Sequence, residues 1–141
     1  MIQRRWKRVL VVDDEPTICE LIAETLRESG YRVDTASNGA EALEVMRGRV
    51  PNAIVLDVMM PRLNAYGFVA RLRVTPGFAS IPILIVTASY GAYEAAERLG
   101  AHACLTKPFE LDALVDMVGQ LVGEPDPLSA SNPQRSIAAE A

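Results

Sequence analysis

Five side chains able to bind a cation, attack an electrophile or balance an anion each follow closely on an apolar run. Asp13 and Asp14 follow Val9-Leu10-Val11-Val12, and Asp57 follows Ala53-Ile54-Val55-Leu56. Thr87 follows the run Ile81 to Val86, and Lys107 lies two residues beyond Ala101 to Leu105. Singly, each has an ordinary explanation. An Asp after a strand caps a helix or forms a turn about as often as it marks a site. Thr87 could be a cap, and Lys107 a solvated loop residue ahead of a helix begun by Pro108. Capping is a poor explanation for their joint occurrence after four apolar runs.

Three carboxylates converging on one crevice repel one another, and without a counter-charge at least one has its pKa raised. A hard divalent cation relieves this, and a few carboxylates with waters and a phosphoryl oxygen is how Mg2+ is usually held. A carboxylate beside such a cation can act as a nucleophile on phosphorus and form an aspartyl phosphate. The transferring group spreads its charge over three equatorial oxygens, so catalysis is mostly positioning and neutralisation. Mg2+, the Lys107 ammonium and the Thr87 hydroxyl with backbone amides would take one oxygen each.

The elements that must position these groups read as strands alternating with helices. Pro16 suits a first helical turn, Ile18, Leu21, Ile22, Thr25 and Leu26 recur at helical spacing, and Gly30 stops the helix. A strand from Tyr31 to Ala36 leads to Asn38, an N-cap with Glu41 three residues on, and a helix carrying Ala42, Leu43 and Met46 to Gly48. Phe68, Val69 and Leu72 mark a third helix, Tyr90 to Leu99 a fourth, and Leu111, Leu114, Val115, Val118 and Leu121 a last one. Five strand-helix units in strict alternation imply an α/β fold, a parallel sheet with helices on both faces. The strands read as continuous runs because both faces are covered. In such a sheet, ligand-binding residues gather beyond the carboxyl ends of the strands, where strand order reverses. The domain is expected over residues 7–122, with a basic lead-in at 1–6 and, at 123–141, a Pro- and Ser-containing stretch expected to be a disordered tail.

Composition removes several classes. A net charge of −4 argues against a general nucleic-acid binder, and Arg4-Arg5-Trp6-Lys7-Arg8 is too short for a strong electrostatic footprint. His102 is the single histidine, which makes a histidine metal site or a Ser-His triad hard to build. Cys19 and Cys104 have no metal or CxxC spacing and are expected reduced and buried among apolar neighbours. No apolar run has the length of a membrane span and no signal-peptide pattern opens the chain, so a cytoplasmic location without membrane insertion is expected. Neither G-x-G-x-x-G nor G-x-x-x-x-G-K-[ST] occurs, which leaves nucleotide binding without a motif.

The segments VLVVDDEP, IVLDVMMP, IPILIVTAS and LTKPF, in this order, make residues 7–122 resemble a response-regulator receiver domain of the single-domain chemotaxis type. The resemblance implies a flavodoxin-like, doubly wound (βα)5 fold with a five-stranded parallel sheet in the order 2-1-3-4-5. It also implies that Asp57 is the phosphoacceptor, that Asp14 ligates Mg2+ directly, and that Asp13 assists through water. The Met59 backbone carbonyl would complete the metal site, and Lys107 would pair with the phosphoryl group ahead of a cis bond to Pro108. The implied donor is a histidine kinase or histidine phosphotransfer protein, for which acetyl phosphate can often substitute. Thr87 is the implied relay to a protein-interaction face made by the fourth helix, the fifth strand and the last helix. The domain would catalyse only its own phosphorylation and dephosphorylation, and its downstream protein target is unspecified; homodimerisation through the output face is left open.

Three positions depart from the family pattern. Cys104 replaces the usual aromatic three residues before Lys107, with Tyr90 or Tyr93 as substitutes in the readout. The interval from Thr87 to Lys107 is short by two residues, and Ala65 stands where glycine is usual. If the backbone at 65 needs a positive φ, alanine would be strained there. These departures keep a receiver-like scaffold working by contact alone as an alternative. A dehalogenase-type phosphatase is a remoter one: Asp13-Asp14-Glu15-Pro16-Thr17 nearly matches its D-x-D-x-T, but Asp112 and Asp116 fall in the last helix and Asp57 has no role.

Overall fold

The structure is a computed structural model that describes residues 7–58, 65–87, 94, 97–98 and 100–122. Its elements are β1 (Arg8–Val12), α1 (Pro16–Glu28), β2 (Arg32–Ala36), α2 (Gly39–Gly48), β3 (Ala53–Asp57), α3 (Ala65–Arg73), β4 (Ile83–Thr87), β5 (Ala103–Thr106) and α4 (Leu111–Val122). The five strands form one parallel sheet in the order β2-β1-β3-β4-β5. This is the α/β parallel architecture that the alternating runs predict, in the flavodoxin-like, doubly wound order that the resemblance implies. The expected fourth helix lies mostly outside the described residues, as do 1–6 and 123–141; Glu94, Glu97 and Arg98 are helical and exposed.

Strand alternation splits the core into two layers. Leu10, Val12, Ile54, Leu56, Ile83 and Ile85 pack against Ala42, Met46, Phe68, Val69 and Leu72 of α2 and α3. Their neighbours Val9, Val11, Val55, Leu84 and Val86 pack against Cys19, Ile22, Leu26, Leu114, Val115 and Val118 of α1 and α4. Every residue of β3 and β4 is buried, which is why both read as unbroken apolar runs.

Helix ends follow their sequence signals. Asn38 Oδ1 accepts from Glu41 N at 2.8 Å, and Glu41 Oε1 accepts in return from Ser37 N, closing a capping arrangement on α2. Gly30 follows α1 with φ of 105°, a conformation glycine reaches without steric cost. Two details differ from the sequence pattern. Leu21 is 48% exposed, because the buried stripe of α1 runs through Cys19, Ile22, Ala23 and Leu26. Tyr31 precedes β2 instead of opening it, with its N–H bonded to Leu26 O at the end of α1.

Candidate active site

The polar residues gather where the strand order reverses, between β1 and β3. Val12 pairs with Leu56, so the next residues, Asp13 and Asp57, stand on neighbouring strands at their carboxyl ends. Alternation then selects a side. Asp13 and Asp57 continue the Val9–Val11 and Val55 series, which faces α1 and α4, and Lys107 continues the Ala103–Leu105 series on that same face. Thr87 continues the Ile83–Ile85 series, which faces α2 and α3, together with Cys104.

Ligand oxygens of Asp13, Asp14 and Asp57 lie within 4.8 Å of one another; Asp13 and Asp57 are buried and Asp14 is exposed. The Lys107 ammonium lies 3.6 Å from Asp57 Oδ2 and 4.0 Å from Asp13 Oδ2, beyond ordinary hydrogen-bond length. It is therefore a nearby counter-charge to both carboxylates. Backbone bonds fix the frame: Asp13 N donates to Ala36 O at 3.0 Å, and Lys107 N donates to Thr87 O at 2.8 Å. Asp13 Oδ1 accepts from Glu15 N at 2.9 Å, tying the carboxylate to the turn that starts α1. Thr87 is fully buried, and the Lys107–Pro108 peptide is cis as the sequence resemblance implies.

Burial pushes the Asp13 carboxyl above its ordinary value, and the charges of Asp57 and Asp14 push the same way. The Glu15 amide and Lys107 oppose the rise without cancelling it. One ammonium against three carboxylates leaves an excess of negative charge, which a divalent cation balances. The donor set fits Mg2+: all three groups are hard carboxylate oxygens and one of them is open to solvent. Met59 lies outside the described residues, as do Tyr90 and Tyr93.

The departures from pattern resolve unevenly. Ala65 is the first residue of α3, is fully buried, and is not at positive φ, so alanine there is a packed core residue without strain. Cys104 is half-buried, not fully buried as expected, because β5 is an edge strand; burial still raises its thiol pKa. Cys19 is buried, its Sγ 3.9 Å from Val11 O, and burial lifts its pKa to about 11. Asp112 and Asp116 lie in α4 and are exposed, unlike the strand-end acidic pair a dehalogenase-type phosphatase needs.

Residues 9–119 match the family model described as the response regulator receiver domain. Response regulator MprA of Mycobacterium sp. (strain KMS) is 38% identical over 122 residues, which cover 85% of this chain and 52% of that protein. The chain thus spans about half the length of the curated relatives it matches. Among solved structures, the Vibrio cholerae chemotaxis protein CheY4 superposes with a TM-score of 0.77 at 31% identity, covering 83% of this chain and 99% of that one. The receiver domain of the Pseudomonas aeruginosa sensor histidine kinase PA1611, solved with magnesium in its active-site cleft, gives 0.76 at 27% identity, covering 85% and 100%.

Proposed function

This chain belongs to the response regulator receiver domain family, and from that premise we propose that it accepts a phosphoryl group on Asp57 in two-component or phosphorelay signalling. The observation that carries the reading is the Lys107 ammonium 3.6 Å from Asp57 Oδ2, beside the Asp13–Asp14–Asp57 cluster. A buried carboxylate beside two further carboxylates and an ammonium is the arrangement that phosphoryl transfer to an aspartate calls for.

When bound, Mg2+ neutralises charge on the transferring group and on the carboxylates. Asp14 and Asp57 would hold it directly and Asp13 through water, the Met59 carbonyl being the further ligand that the family resemblance implies. Asp57 Oδ attacks phosphorus in line with the leaving group, so a P–O bond forms to Asp57 as the donor's bond breaks. Lys107 takes the charge of one phosphoryl oxygen and the Thr87 hydroxyl donates to another. The donor is a phosphohistidine on a kinase or phosphotransfer protein. The output is a changed protein-contact face, because the added charge favours one arrangement of the Thr87–Lys107 crossover over another. Among the described residues no helix is long and apolar enough to cross a membrane, and we place the activity in the cytoplasm.

Incubation with acetyl phosphate and Mg2+, read by intact mass, tests this. Wild type is expected to gain a phosphoryl adduct that EDTA prevents and that Asp57→Asn lacks. Failure of both this adduct and a beryllofluoride complex would favour the contact scaffold.

A further inference from the structure

Lys107 sits at the end of the least supported strand. β5 has one sheet neighbour, is four residues long, and has no fully buried residue. Its upper end is held by the bond from Lys107 N to Thr87 O. Its foot is held differently, by side chains remote in sequence. Arg73, half-buried at the end of α3, donates through Nη2 to Gly100 O at 3.0 Å and through Nη1 to Ala79 O at 2.7 Å. One guanidinium therefore joins α3, the connection into β4, and the turn that returns the chain to β5. That turn needs Gly100, whose φ is 68°. Immediately afterwards His102 N donates to Ile83 O at 2.9 Å, and Ile83 N donates back to His102 Nδ1 at 3.3 Å.

The geometry points to Arg73 as a positioning residue for Lys107, acting by anchoring the foot of β5 through Gly100. The inference deepens the phosphoryl reading and rests on Lys107 being the phosphoryl partner. The physical reasoning is that an edge strand frays from its ends. A planar guanidinium with two diverging N–H donors can pin two carbonyls at once, which lysine cannot do with the same fixed spread. The ammonium is carried just beyond β5, so its position depends on the anchor at Gly100 as well as on the bond to Thr87 O.

The test uses the full chain with Arg73→Ala, Arg73→Lys, Gly100→Ala, Lys107→Ala and the Arg73→Ala/Lys107→Ala double variant. Hydrogen exchange is read for Ala103–Lys107 and for β1 and β3, and phosphorylation rates are measured with acetyl phosphate and Mg2+. Arg73→Ala is expected to speed exchange in β5 about tenfold while leaving β1 and β3 unchanged. Gly100→Ala should reproduce the pattern, and Arg73→Lys should recover part of it. Phosphorylation should slow about threefold in Arg73→Ala, and the slowing should vanish in the Lys107→Ala background. Exchange rising equally across the sheet, or not at all, overturns the anchoring role, and a slowing that persists without Lys107 overturns the route through it. Absence of phosphorylation in wild type overturns the functional reading instead, and the exchange comparison still decides whether Arg73 anchors β5.

Discussion

β3 and β5 both deliver a charged group to the same crevice, yet they are built oppositely. β3 lies between β1 and β4, has all five residues buried, and ends in Asp57 itself. β5 lies at the sheet edge, is partly exposed along its length, and delivers Lys107 from the residue just beyond it. The proposed nucleophile therefore ends a fully buried central strand, whereas its counter-charge rides on an element held mainly by backbone bonds and by Arg73. Close-packed interiors do not deform gradually, so the position of attack is rigid. An edge strand with few buried contacts can respond to a new charge at low cost. That division suits a module whose chemistry must stay constant while one side of it changes.

The comparison is broken most forcefully at the two charges. Asp57→Asn should abolish the adduct, whereas Lys107→Ala should still form it, slower by on the order of 10²–10³; equal loss in both would mean that the ammonium is as indispensable as the nucleophile. Packing gives the next largest difference. Leu56→Ala in β3 empties a fully buried site and should cost ~2–5 kcal/mol. Leu105→Ala in half-buried β5 should cost about 1 kcal/mol. Urea unfolding of the two variants checks this, and similar values would remove the distinction between centre and edge. Asn38→Ala, away from both strands, should cost about 1 kcal/mol by deleting the α2 cap, with the phosphorylation rate unchanged.

The smallest effect concerns pH. The folded Asp13 carboxyl binds its proton more tightly than the unfolded one, so its ionisation costs stability above the folded pKa, and the cost is relieved as pH falls through that value. Metal-free Asp13→Asn should therefore melt slightly higher than wild type at neutral pH, and the gap should close in acid. Mg2+ should raise the melting point of wild type more than that of the variant.

Much of this was legible in the chain because buried parallel strands write themselves as apolar runs. The residue that ends each run names the site, as Val9–Val12 before Asp13 and Ala53–Leu56 before Asp57 show. Neighbouring placement of Asp13 and Asp57 follows from β1 pairing with β3, and the family resemblance supplied that order. What escaped depends on contacts remote in sequence. Helical spacing put Leu21 with the core set, but rotation about the α1 axis leaves it facing solvent. The pattern left open whether alanine at 65 would be strained, and only the backbone shows it packed and not at positive φ. Arg73, Gly100 and His102 carry no motif at all. The glycine was the single available signal, and nothing in the sequence says which side chain meets its carbonyl.

The most direct measurement is to locate the phosphoryl group. Protein phosphorylated with acetyl phosphate and Mg2+ is treated with borohydride, which reduces an acyl phosphate to an alcohol, and is then digested and sequenced by mass spectrometry. The account predicts a reduced side chain at Asp57 and an unmodified Asp13 and Asp14. Modification of Asp13 or Asp14 with Asp57 intact would contradict it.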